Sequence, residues 1–291
     1  MQGMARIGFA GLGKMGLAML ARLAAARDDV TAWNRSPAPL QQAQRWGVRP
    51  AADFAALVGA CDTILCAFAN ARVLDTLLQR DGAHLGVDVA GKTIIQLGTT
   101  APESSAALAG AVVHMGGRYI EAPVSGSRIP AEKGRLVAMI GARDAADFEY
   151  AEAILPIFAH HLVRCGAPPR AMQMKLAVNC HVIAVASALA EAWHLAKTLG
   201  LDGKILRAVL NAGPMASDFS RGKLGKLLAQ DWSAQASIND VLMNADLVLG
   251  MARGAGINLP VAAACRTLLA SAQQRGAGDA DVIAILHNDA M

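Results

Sequence analysis

The stretch Gly8-Phe9-Ala10-Gly11-Leu12-Gly13-Lys14-Met15-Gly16 decides the reading of this chain. It grows out of a run, Ala5–Ala10, that reads as a strand, and it leads into Gly16–Ala26, which reads as a helix. Gly11, Gly13 and Gly16 stand in GxGxxG spacing. The first glycine permits a tight turn, the second lets the backbone approach a pyrophosphate, and the third lets helix and strand pack closely. Amides at the start of the helix then face the phosphates. A second strand, Val30–Trp33, ends about 20 residues further on, the context this pattern requires. The expected cofactor contacts of the loop are Gly11, Leu12, Gly13, Lys14, Met15 and Gly16. A glycine-rich turn without a ligand is the plainer alternative.

The end of the second strand sets the choice of dinucleotide. An NAD(H) site usually places Asp or Glu there to accept from the ribose hydroxyl. This chain has Trp33-Asn34-Arg35-Ser36, with no carboxylate to repel a 2′-phosphate. Arg35 can meet that phosphate as a charge-assisted partner, and Asn34 and Ser36 can donate to it. NADP(H) is therefore expected over NAD(H), unless Arg35 is simply a solvated turn residue.

Outward from this point, short β-rich runs alternate with helical ones, the pattern of a parallel sheet covered by helices. Thr63–Phe68, Thr93–Leu97, Arg118–Glu121 and Leu136–Ile140 read as strands. Pro39–Trp46, Arg72–Leu78, Pro102–Met115 and Ala145–Leu155 read as helices. After the loop Cys165–Arg170 no further strand is expected. Met172–Leu199 reads as one long helix, buried on several sides, followed by helices near Lys204–Asn211, Ser220–Ala229, Asn239–Ala255, Val261–Gln274 and Ala280–His287. The expected fold is α/β: an N-terminal doubly wound Rossmann domain, residues 1–164, and an all-helical C-terminal domain, residues 165–291.

The 291 residues are 54% hydrophobic and 17% charged, with mean hydropathy +0.34, so surface hidden against another subunit is expected. A net charge of +4 with scattered Lys and Arg suits a small anion and gives little support to nucleic acid. Cys61, Cys66, Cys165, Cys180 and Cys265 show no CxxC spacing and read as reduced thiols in the cytoplasm. The histidines form no metal pattern, so no metal is expected. No uninterrupted apolar run reaches the roughly 18 residues of a membrane span, and the run Val182–Ala190 is too short.

Two further clusters carry chemistry. Glu121-Ala122-Pro123-Val124-Ser125-Gly126-Ser127 lies at the C-terminal end of an expected strand, where α/β sheets bind ligands. The Ser125 hydroxyl and the Gly126 and Ser127 amides suit a carboxylate or phosphate, though an ordinary turn reads the same way. In the long helix, Lys175 and Asn179 are four apart and share a face. Such a polar pair in an apolar helix is costly unless something satisfies it. Lys175 either reaches solvent or sits in a cleft between the domains, giving its proton to a carbonyl oxygen as hydride arrives at carbon, with Asn179 orienting that oxygen.

These three motifs, in this order, resemble the β-hydroxyacid dehydrogenase family over essentially the whole chain. The run Pro123–Glu132 together with Trp33–Ser36 is most similar to the glyoxylate/succinic semialdehyde reductase branch. The resemblance implies a Rossmann domain, dimers or tetramers formed through the helical domain, a substrate carboxylate held at Ser125 and Gly126, and chemistry at Lys175 and Asn179. The expected site also takes in Ala67, Phe68 and Thr99 beside the cofactor, and Ser127, Thr99 and Asp240 beside the substrate. Three positions depart from the family pattern. The later glycine before the lysine is lost in Gly166-Ala167-Pro168-Pro169-Arg170, Asn239 stands where a lysine usually precedes an aspartate, and Asp-Met-Ser-Thr is replaced by Gln96-Leu97-Gly98-Thr99. An imine reductase-like enzyme and a non-catalytic dinucleotide-binding module are the competing readings.

Overall fold

A computed structural model describes residues 5–287. The first strand and helix are β1 (Ile7–Ala10) and α1 (Lys14–Ala26), followed by β2 (Val30–Trp33), α2 (Pro37–Gln44), β3 (Arg49–Pro50), α3 (Phe54–Ala60), β4 (Thr63–Cys66) and α4 (Ala71–Leu77). A small hairpin, β5 (Arg80–Asp81) with β6 (His84–Leu85), precedes β7 (Thr93–Gln96), α5 (Pro102–His114), β8 (Arg118–Glu121), β9 (Val124–Ser125) and α6 (Arg128–Glu132). Then come β10 (Leu136–Gly141), α7 (Ala145–Ile154) and β11 (Ala159–Gly166).

The main sheet runs β11-β10-β8-β7-β4-β1-β2-β3, with β9 paired to β10. From β1 the chain steps outward to β2 and β3, then returns past β1 to β4 and β7. The direction reverses beside β1, and a reversal of this kind opens a crevice at the C-terminal ends of the strands. The strands from β3 to β8 are parallel. Contrary to a purely parallel expectation, β10 lies antiparallel to β8 and β9. β1, β4 and β7 are buried at every residue, as central strands covered on both faces must be. Neighbouring residues on them feed opposite cores: Ile95 packs with Phe9, Leu20, Leu65 and Phe158, while Ile94 packs with Phe54, Leu57, Ile64 and Leu108.

The sequence reading misses α3, β11 and the short elements β3, β5, β6, β9 and α6. α3 was not expected, yet Asp53 caps it by accepting from Ala56 N at 2.7 Å, and Phe54, Leu57 and Val58 form its buried stripe. The hairpin β5–β6 is too short for a periodic signal. β11 is an edge strand in which only Ala159 is buried, so it lacks the apolar alternation that marks strands from sequence.

The chain divides into two compact units, the first ending at Lys175 and the second beginning at Leu176, so the break falls inside the long helix α8 (Arg170–Thr198). The second unit continues with α9 (Gly203–Ala212), α10 (Asp218–Ala229), α11 (Ile238–Gly254) and α12 (Pro260–Ala272). Its core gathers Ile183, Ala186, Leu189, Leu224, Ile238, Leu242, Leu269 and Ile283. Two expectations are corrected here. The segment Ala280–His287 is not a helix: Asp281 bridges Ser237, and only Val282–Ala284 forms a short 3-10 turn. By length and composition α8 does qualify as apolar enough to cross a membrane, with a mean hydropathy of 1.5. Within the second unit its Ile183, Ala186, Leu189 and Ala190 pack into the core, while Val182 and Leu195 remain exposed, so it is not covered on all sides.

Candidate active site

The glycine loop is built as its spacing requires. Gly11 has φ +91°, and a Cβ there would lie 2.6 Å from the Ala67 carbonyl oxygen. At Gly16 a Cβ would lie 1.9 Å from the Gly11 carbonyl oxygen, whereas at Gly13 it would meet nothing within 4 Å. Gly11 and Gly16 therefore close the turn, and Gly13 leaves backbone open. α1 has no side-chain cap and no acidic residue in its first turn, and its first helical bond runs from Leu17 N to Gly13 O at 2.8 Å. The amides of Lys14, Met15 and Gly16 have no partner within the helix and can donate to an anion, and the dipole favours one there. These residues fit a dinucleotide pyrophosphate.

Asn34 ties the next loop to this one. Its Oδ1 accepts from Leu12 N at 2.9 Å and its Nδ2 donates to Ser36 O at 2.9 Å, so most of its amide is spent on holding the loops in register. Arg35 is exposed and makes no hydrogen bond or ion pair among the described residues. Ser36 precedes α2 without capping it, which leaves its hydroxyl free.

Parallel strands put their C-terminal loops on one edge. Ala67 N donates to Ala10 O, Leu97 N to Cys66 O and Ala122 N to Gln96 O, each at 2.8 Å. Ala67, Phe68, Thr99 and the turn after β8 thus stand on the same edge as the glycine loop. Gly98 comes so close to Phe68 that a Cβ would lie 2.0 Å from its carbonyl oxygen. Ser125 pairs with Val137 across β9 and β10, Gly126 has φ +129°, and Ser127 precedes α6 without capping it. Neither serine hydroxyl has a hydrogen-bond partner among the described residues.

α8 starts at this same edge, because the carboxylate of Glu121 at the end of β8 accepts from Ala171 N at 3.0 Å and Met172 N at 3.4 Å. Lys175 stands one turn later. It is only 8% exposed and has no hydrogen bond or ion pair among the described residues, and burial pushes its ammonium down to about 8. The sequence reading gave Glu121 no role, because its partners lie 50 and 51 positions further along the chain.

Asn179 and Asp240 belong to the second unit. Asn179 Nδ2 donates to Asn244 Oδ1 at 2.9 Å, and Asn244 Nδ2 donates to Asp240 O at 2.7 Å, which fixes the Asn179 amide. The Asp240 carboxylate accepts from Ser237 Oγ at 2.7 Å within the cap of α11. Of the departures from the family pattern, Asn239 is held by Gln273 at 2.7 Å and Asp279 at 3.2 Å. Gln96 is buried, and its Oε1 has no partner among the described residues.

The fold and the glycine loop define a dinucleotide-binding protein. Residues 6–166 match the family described as the NAD binding domain of 6-phosphogluconate dehydrogenase, and residues 170–288 match the NAD-binding domain of NADP-dependent 3-hydroxyisobutyrate dehydrogenase. The chain is similar to glyoxylate/succinic semialdehyde reductase 1 of Arabidopsis thaliana, 28% identical over 280 residues, which cover 96% of each protein. It is also 29% identical over 287 residues to the human cytokine-like nuclear factor N-PAC, covering 96% of this chain but 50% of that protein. A solved structure of Psf3 in complex with NADP+ and 2-OPP superposes with a TM-score of 0.86 at 25% identity, covering 96% of this chain and 98% of that one. The chain belongs to the β-hydroxyacid dehydrogenase family, NAD(P)-dependent oxidoreductases acting on CH–OH groups.

Proposed function

We propose that this protein uses NADPH to reduce a short aldehyde acid to its hydroxy acid, with Lys175 supplying the proton. The observation that carries the reading is Lys175 itself, a buried ammonium with no partner among the described residues and an affinity for its proton lowered to about 8. Such a group can give a proton to a developing alkoxide and take it back near neutral pH. When bound, the reduced nicotinamide supplies the hydride. Ser125, Gly126 and Ser127 hold the substrate carboxylate with unspent hydroxyls and amides, and Asn179, braced by Asn244, orients the oxygen that changes redox state. A relative named for glyoxylate and succinic semialdehyde supports this substrate class.

NADPH is favoured over NADH because Arg35 and the Ser36 hydroxyl are free at the end of β2, with no carboxylate among residues 33–36. Losing a charge-assisted hydrogen bond costs about 1.5–3 kcal/mol, so Arg35→Ala is expected to raise the KM for NADPH roughly 10- to 100-fold and to leave NADH nearly unchanged. The test is steady-state turnover with both coenzymes across glyoxylate, succinic semialdehyde, methylmalonate semialdehyde, tartronate semialdehyde and a cyclic imine. Equal efficiency with NADH would overturn the coenzyme assignment, and turnover of the imine alone would overturn the substrate class. One observation favours the non-catalytic alternative: Asn239 is neutral and engaged with Gln273 and Asp279, so it brings no positive charge. Tight NADPH binding without turnover on the whole panel would decide for that alternative.

The working unit in this reading is a homodimer or homotetramer assembled through the helical unit. Leu195, Leu199, Leu201, Ile205, Val209 and Met215 are exposed, and this much apolar surface suits a second copy of the chain. Light scattering should give a dimer or tetramer mass, which Ile205→Glu with Val209→Glu should reduce. A wild-type monomer at working concentration would overturn it.

A further inference from the structure

We propose that Glu121 is a positioning residue for Lys175, its carboxylate clamping the first turn of α8 and fixing the backbone from which Lys175 projects. The role rests on the reading of Lys175 as the proton donor, while the clamp itself stands on geometry. Glu121 is 0% exposed, and a buried carboxylate is tolerated only when its oxygens are satisfied. Ser105 Oγ donates to Oε1 at 2.5 Å, and Ser105 is in turn 2.8 Å from the Tyr119 hydroxyl. Oε2 accepts from Ala171 N at 3.0 Å and Met172 N at 3.4 Å.

Those amides are among the first of α8, which have no partner within the helix, and a negative charge there also opposes the helix dipole favourably. α8 has no cap of its own: Ala167-Pro168-Pro169 precedes it, and its first turn contains no acidic residue. The cap comes instead from 50 positions away. Space is reserved for it, since a Cβ at Gly141 would lie 2.4 Å from Glu121 Oε2 and 3.1 Å from Ala171 Cβ. Lys175 follows Ala171 by one turn on the same face, so a shift of the clamped turn is a shift of the lysine. Position rather than charge is the means. Burial alone lowers the Lys175 ammonium, with no contribution from Glu121. Burial also pushes the Glu121 carboxyl up, against hydrogen bonds from Ser105, Ala171 and Met172 that pull it down.

The experiment compares wild type, Glu121→Leu and Glu121→Gln in the full chain. Amide hydrogen exchange at residues 171–175 is read without substrate, alongside NADPH affinity and single-turnover reduction per folded molecule. Glu121→Leu should speed exchange in that turn roughly 10-fold or more and slow reduction roughly 10- to 100-fold, with NADPH affinity unchanged. Glu121→Gln keeps an acceptor for the amides and a donor for Ser105, so it should restore most of both. If Glu121→Leu does not fold, Gly141→Ala displaces the carboxylate and takes its place, with the same expected readouts. Unchanged exchange at 171–175, or unchanged reduction per folded molecule, overturns the proposal. Exchange decides on the clamp even if wild type reduces no aldehyde, in which case only the assignment of Lys175 fails.

Discussion

Lys175→Met is expected to give a folded protein, at least as stable as wild type at pH 7, that has lost roughly 10²–10⁴-fold in turnover. The two halves of this expectation have one cause. Burial lowers Lys175 from its ordinary value of 10.5 to about 8, so the native state binds its proton less tightly than the unfolded chain does. The penalty is fully present below about 8, shrinks as pH rises between the two values, and is gone above the upper one. At neutral pH it amounts to about 3 kcal/mol, which methionine of similar volume removes. A buried ammonium with no hydrogen bond among the described residues is what the proposed proton-transfer role requires. In the proposed mechanism the same group sets the pH response. Reduction needs the ammonium, so its kcat/KM should fall above about pH 8, while oxidation needs the neutral amine and should rise to a plateau there. Thermal melts and pH–rate profiles of both proteins check the argument. A methionine variant that melts earlier and retains its pH limb would assign that limb to another group.

What the sequence shows plainly is whatever is enforced locally. Gly11 and Gly16 are legible through their spacing, and the structure leaves no room for a side chain at either: Gly11 has φ +91° and lies against the Ala67 carbonyl, and Gly16 lies against the Gly11 carbonyl, whereas Gly13 meets nothing within 4 Å. Lys175 and Asn179 are legible as polar residues in an otherwise apolar helix. Glu121 is not, because its meaning lies in two amides 50 and 51 positions further on. β11 is hidden for a different reason. An edge strand with His160, His161 and Arg164 turned outward has no apolar rhythm to read. Asn34 shows a third kind of limit: its type suggested a ligand contact, whereas its amide largely joins two loops of the protein itself.

Asp281 is the strongest case of a hidden long-range partner, and its removal should have the largest effect on stability. Spacing alone reads Ala280–His287 as a helix, but Asp281 is drawn into extended backbone instead. Its amide donates to Trp232 O at 2.9 Å, and its fully buried carboxylate accepts from Lys223 Nζ at 2.7 and 2.9 Å, Gln235 N at 2.9 Å and Ile283 N at 3.2 Å. Lys223 is itself buried, and burial pushes its ammonium down against the pull of Asp281 upward. Asp281→Ala leaves that ammonium unpaired in the core together with two backbone donors, and breaking a buried pair from one side costs about 3–5 kcal/mol. The melting temperature should drop on the order of 10 °C. Removing both charges is a different matter, since an apolar pair of matching size is often neutral beside a buried ion pair. Asp281→Leu with Lys223→Met should therefore recover the part of the loss that comes from the stranded charge, while the part due to the Gln235 and Ile283 amides remains. If Asp281→Ala and the double variant melt at the same temperature, the ammonium was never the source of the cost, and Asp281 holds this segment through the backbone alone.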